Sequence, residues 1–168
     1  MDLLKTSMDW TKTEMLSSAV FAFFGLLFLL ASYGFWQYGK TDMAKAYVIP
    51  MLVVGVLLVI LGVGLIIPNQ LRLSGFPLAY NTDASAFVAS ELARVEKTMN
   101  GYSTAISRVF PVIILACAGL VMVVEAPIWR ASLIAVIAMM AILFVVDTNA
   151  NARLGVYKGK LLHAEQQL

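Results

Sequence analysis

The sequence predicts an all-α polytopic membrane protein with four transmembrane helices arranged as two hairpins, the third and fourth extended into a cytoplasmic antiparallel helical stalk. Three observations predict it. Hydrophobic residues make up 61% of the 168-residue chain and charged ones only 13%, too apolar for an ordinary soluble fold. Four runs, 15–39, 46–71, 109–124 and 131–146, contain no charged residue. Beside the last two lie segments whose apolar residues recur at alternating spacings of three and four, the seam by which one helix packs on another.

A hydrocarbon layer of about 30 Å asks for roughly 20 apolar residues per helix. The first two runs, of 25 and 26 residues, are long enough alone, whereas the last two, of 16 each, need snorkelling arginines and neutral flanks. The expected spans are therefore about 15–37, 47–67, 107–125 and 129–147, in a single domain, 1–168. The start "MDLLKTSMDWTKTEML" is mixed in charge, and the apolar run after it is too long for a signal-peptide core, so the first helix is expected to be retained. Within it "AVFAFFGLLFLL" directs Phe21, Phe23, Phe24 and Phe28 toward lipid or a partner.

The connection "QYGKTDMAKAY" is short and polar, with Gly39 as a helix stop and Trp36, Tyr38 and Tyr47 as an interfacial aromatic belt. Pro68 and Asn69 close the second span, and Ser74, Gly75 and Pro77 mark "LRLSGFPLAYN" as a loop. A helical extension over about 83–106 follows, with Asn81, Thr82 or Asp83 as its N-cap. Its seam, Val88, Leu92, Val95 and Met99, continues through Tyr102, Ile106 and Val109 into the third span. Pro127 breaks the chain before the fourth span and Trp129 anchors it at the interface. The tail, about 148–166, repeats the pattern at Leu154, Tyr157, Leu161, Ala164 and Leu168. The two seams, with Val88, Leu92, Val95, Met99, Leu154, Tyr157 and Leu161 as the interaction stripe, are expected to face each other; amphipathic helices lying on the membrane surface are the alternative.

Folding the last two spans back on one another about the turn brings charges into register. Glu125 meets Arg130 at the outer rim, Arg108 meets Asp147 at the inner rim, and Glu96 falls opposite Lys158 and Lys160. These are read as structural ion pairs at the ends of the spans, because ionisable groups truly inside a bilayer are costly and mark function. Nine of the twelve Lys and Arg lie on the side of the two termini and the middle segment, so the positive-inside rule places both termini in the cytoplasm of a plasma membrane, a bacterial inner membrane by type.

Little in the sequence carries chemistry. The charge-free runs contain no His, Asp, Glu or Lys for a proton relay or a metal; Cys117 reads as an apolar filler and His163 as a solvated tail residue. Glu91 and Glu96, alternating with Arg94 and Lys97, read as a salted helix surface. No catalytic, cofactor-binding or metal-binding residue is expected, and no nucleic-acid partner. An enzyme acting at the lipid interface would need Arg108, Asp147, Asn149 and Arg153 to converge. Small residues remain: Gly55, Gly62 and Gly64 along the second span, and Ala131, Ala135 and Ala138 on one stripe of the fourth, serve either close packing inside the bundle or association with a partner.

The expected function is a non-catalytic integral membrane interaction protein. It would be an accessory or assembly subunit of a larger complex, or an immunity protein against a membrane-targeting toxin. The alternative is a homo-oligomeric small channel or stator-like pore subunit, lined by weakly polar residues such as Ser32 and Ser132. In layout alone the chain is similar to stator-type proton-channel subunits. Its partners would be the lipid bilayer and another membrane protein or a second copy of itself.

Overall fold

The computed structural model describes residues 3–167, whose regular structure is entirely helical. The seam position Leu168 lies outside the described residues. Four helical stretches, Leu3–Tyr38, Asp42–Thr82, Ala84–Val123 and Pro127–Glu165, are long and apolar enough to cross a membrane.

Helix α1, Leu3–Tyr38, stops where Gly39 donates its N–H to the Phe35 carbonyl at 2.9 Å. Thr41 then caps the short α2, Asp42–Ala46, by accepting from the Ala44 N–H at 3.1 Å. Helix α3, Val48–Thr82, runs unbroken through Pro68 and Pro77, so the helix end expected at Pro68 and Asn69 and the loop expected at 71–81 are helix instead. A proline inside a helix removes one hydrogen bond and crowds the carbonyl four residues earlier. Pro68 and Pro77 leave the carbonyls of Gly64 and Leu73 without their usual donor, and on adjoining turns Asn69 Nδ2 donates to the Leu65 carbonyl at 2.9 Å and Ser74 Oγ to that of Leu71 at 2.8 Å.

The connection between α3 and α4, Ala84–Thr104, thereby shrinks to Asp83, which is extended (φ −156°, ψ 101°) and accepts from the Ala86 N–H at 2.9 Å. Helix α4 passes through a π-helical turn, Ala105–Val109, into α5, Phe110–Val123. Phe110 donates to the Ala105 carbonyl five residues back, and the wider turn gives the Pro111 ring room inside a continuing helix. Residues 124–126 break the chain, and Pro127, in the first turn, opens α6, Pro127–Glu165.

Helices α1 and α3 pack along most of their length, and the approach is close because glycines line it. A Cβ on Gly55 would stand 2.9 Å from the Gly25 carbonyl oxygen, and one on Gly62 would stand 2.6 Å from the Ala22 nitrogen. Ser32 Oγ adds a bond to the Val48 carbonyl at 2.7 Å. Phe21, Val54 and Leu58 are buried with Ala135 of α6, so Phe21 faces the interior, whereas Phe23 is exposed. Ala131 and Ala135 are fully buried and Ala138 half-buried, which gives these small residues a role in internal packing.

A second core lies beyond the charge-free runs. Val88, Leu92 and Val95 of α4 meet Leu154, Tyr157 and Leu161 of α6, and Met99 packs against them. The two seams thus meet, and Lys158 Nζ sits 2.9 Å from Glu96 Oε1. Leu3 of α1 and Phe76 of α3 close the same cluster, so four helices build it rather than the two that the seams alone suggested. The periphery belongs to α5: apart from the adjoining π turn, only α6 comes within 8 Å of it, Cα to Cα, among the described residues.

The glycine contacts make a sharp comparison possible. Gly62→Ala should destabilise the protein by about 1–3 kcal/mol, since the atoms opposing the new methyl are backbone of α1. Gly64→Ala meets nothing within 4 Å and should leave the melting temperature unchanged or slightly higher. Thermal unfolding of both variants in the same detergent checks this, and equal behaviour would contradict the packing described.

Candidate functional site

The chemistry-bearing side chains gather at one level of the bundle, where α1, α3, α4 and α6 leave the charge-free runs. Glu91 is only 5% exposed, and not part of the salted surface its sequence pattern suggested. Its carboxylate is held in a fork by Arg94, through Nε at 2.9 Å and Nη2, and Oε2 also accepts from the Tyr157 hydroxyl at 3.0 Å. That hydroxyl lies 2.8 Å from Ser7 Oγ, which is fully buried. Trp10 stacks on the Tyr157 ring (centroids 4.8 Å apart, planes at 8°), and the Arg94 guanidinium covers the indole at 4.8 Å. A carboxylate can be buried here because a fork of charged donors and a phenol replace its water.

A second carboxylate, Glu14 of α1, lies nearer the apolar runs. Tyr102 donates to its Oε1 at 2.8 Å, and Arg153 Nη2 lies 3.9 Å from its Oε2. Arg153 also donates to Ser17 Oγ through Nη2 and, at 3.4 Å, to Asn149 Oδ1 through Nη1. On α3, Arg72 reaches Asn69 Oδ1 at 2.8 Å. The result is a polar layer tied across the helices by charge-assisted hydrogen bonds.

The ion pairs expected at the span ends are not made. Arg108 is exposed on the π turn and Asp147 is half-buried on α6, with no ion pair between them. The extra residue in the π turn shifts the register on which their pairing relied. Glu125 is exposed, and Arg130 donates to the Val121 carbonyl at 3.4 Å instead of pairing with it. Of the four residues an interfacial enzyme would need, Asn149 and Arg153 touch and Arg108 stands apart. Among the described residues no three His, Cys, Asp or Glu side chains converge as metal ligands. Cys117 is half-buried and unbonded to another cysteine, and His163 Nε2 lies 3.1 Å from Gln167 Nε2.

The layer includes residues that hydropathy reading passes over. Leu3, Ser7, Thr11 and Ser18, with Glu14 between them, recur along one face of α1 at helical spacing, yet most are polar, so no apolar stripe announces the face. Comparison of the chain with protein-family models, with curated proteins and with solved structures gives no match. Fold and site define an all-helical bundle, its four long apolar helices consistent with a multi-pass membrane protein, with a polar layer at one end.

Burial, and then the charge of Glu91, push the Tyr157 hydroxyl above its ordinary value of 10.0. Above that pH the unfolded chain releases a proton that the folded chain keeps, so this contribution to stability is complete below pH 10 and falls as pH rises beyond it. Tyr157→Phe should cost about 1–3 kcal/mol at pH 7, because Ser7 and Glu91 lose their partner. The gap between variant and parent should then narrow above pH 10. Melting curves across this range check both; a gap that widens with pH contradicts the assigned network.

Proposed function

We propose that the chain is a non-catalytic multi-pass membrane protein that binds another membrane helix through α5. Its four long helices cross the bilayer as two hairpins with both termini on the cytoplasmic side, and the segments beyond the charge-free runs form a cytoplasmic helical projection. The excess of Lys and Arg on that side supports the orientation.

One observation carries the reading. Helix α5 is covered by α6 alone, and its outward stripe, Val112, Leu115, Ala116, Gly119, Met122 and Val123, has small residues at its centre. Leu115 is 71% exposed and Met122 83%, and nothing lies within 4 Å of the space above Gly119. In lipid, where apolar contact by itself gives no preference for protein over acyl chain, helices associate where small residues let backbones come close. The spacing of that stripe, three and four, is that of a helix-packing face. A pore is less well supported, because Ser32 and Ser132 give their hydroxyls to the Val48 and Ile128 carbonyls.

Photo-crosslinking in intact membranes tests this. A photoreactive residue at Leu115 or Met122 should give a discrete protein adduct, and one at the equally exposed Leu30 of α1 should give none. Gly119→Leu should abolish the adduct without lowering the melting temperature. An adduct of twice the chain's mass would make the partner a second copy, and lipid adducts alone at all three positions would sink the proposal.

A further inference from the structure

A groove runs between α1 and α6 across the polar layer, with Arg153 at its midpoint. On one side of Arg153 it is apolar, about 300 Å³, and lined by Leu16, Val20, Phe24, Val145 and Val146. On the other it is polar, about 230 Å³, and lined by Asp9, Trp10, Thr6 and Lys160. Thr13 and Arg153 line both halves, so the two adjoin. An apolar trough that ends in a pocket of mixed charge has the shape and polarity of a place for an amphiphile.

The guanidinium sits at the right depth. Side chains on a helix lean toward its N-terminus, which for α6 is toward the charge-free run. Arg153 accordingly reaches back to Asn149 and across to Ser17, a residue of the first charge-free run. That is the boundary where phosphates of one leaflet lie once these helices are in a bilayer. Arg153 retains donors: its side chain is 32% exposed, and Nη1, which carries two N–H groups, makes one bond, to Asn149. Lys160, exposed at the far end of the pocket, makes no ion pair among the described residues.

The signs of charge choose the ligand. Arg153 and Lys160 suit a phosphate, but Asp9 lines the same pocket and Glu14 stands 3.9 Å from Arg153, so a purely anionic headgroup would meet repulsion. A headgroup with a phosphate followed by an ammonium satisfies both. Asp9 is exposed and free to accept N–H bonds, which a primary ammonium offers and a quaternary one does not. We propose that this groove binds phosphatidylethanolamine, its phosphate on Arg153, its ammonium on Asp9 and one acyl chain along Leu16, Val20 and Val145. The proposal rests on the membrane insertion proposed above and not on the α5 partner face.

The test is native mass spectrometry of the delipidated protein in detergent, titrated with phosphatidylethanolamine, phosphatidylcholine and phosphatidylglycerol of identical acyl chains. The first should be retained about tenfold better than the other two. Asp9→Asn, an exposed change that leaves every bond described above in place, should bring it down to the level of phosphatidylcholine. Val145→Trp, filling the apolar half, should weaken all three. Equal retention of the three lipids, stronger retention of phosphatidylglycerol, or an unchanged preference in Asp9→Asn would overturn the proposal. Flotation of the protein with lipid vesicles is read separately: protein that floats without the preference leaves insertion standing and removes only the lipid site.

Discussion

The close approach of α1 to α3 sets the position of everything else. With glycine at residues 25, 55 and 62, the two backbones come near enough that a methyl would collide with main-chain atoms, and a gap of that kind can be closed only by glycine. Ala135 of α6 packs fully buried against the pair, beside Phe21, Val54 and Leu58. Helix α5, tied to α6 by a three-residue turn, follows α6 and, apart from the adjoining π turn, reaches no other helix among the described residues. In lipid such a hierarchy is governed by fit and not by hydrophobic burial, because the chain gains little from exchanging acyl contacts for apolar side chains.

Beyond the charge-free runs the balance reverses. In the proposed arrangement the helices there would face water and apolar burial would again drive association; the cluster around Leu92, Leu154 and Leu161 is apolar enough for that. The polar layer marks the seam between the two regimes. Glu14 and Glu91 are each held by an arginine and a tyrosine from other turns or other helices. Removing either partner would leave a charge without its replacement for water, which is why such a layer fixes the relative positions of the helices more tightly than apolar contacts do. The same layer places the partly exposed Arg153 guanidinium beside an apolar trough, and the lipid assignment grows out of that geometry.

Much of this was legible from residue order. The four apolar stretches, the break near Pro127, an N-cap within 81–83 and the meeting of the seams at Val88, Leu92, Leu154 and Leu161 follow from period, length and capping chemistry, which act over a few residues. Proline is a stop signal to local rules because it lacks an N–H, yet α3 absorbs that loss at both Pro68 and Pro77 and continues to Thr82. The Arg108 and Asp147 pairing failed because a single extra residue in the π turn, invisible to spacing rules, changes which way a side chain faces.

By itself, then, the sequence determined the helical class, the apolar lengths and the faces that had to be covered, since these depend on local period and transfer free energy. Which helix covers which face was decided only in the tertiary structure. Ser7, Trp10 and Glu14 look like an ordinary polar leader until Tyr157, Tyr102 and Arg153, more than eighty residues away, supply their partners. A buried polar group announces itself only through the groups that satisfy it, and those are brought together by the packing of whole helices.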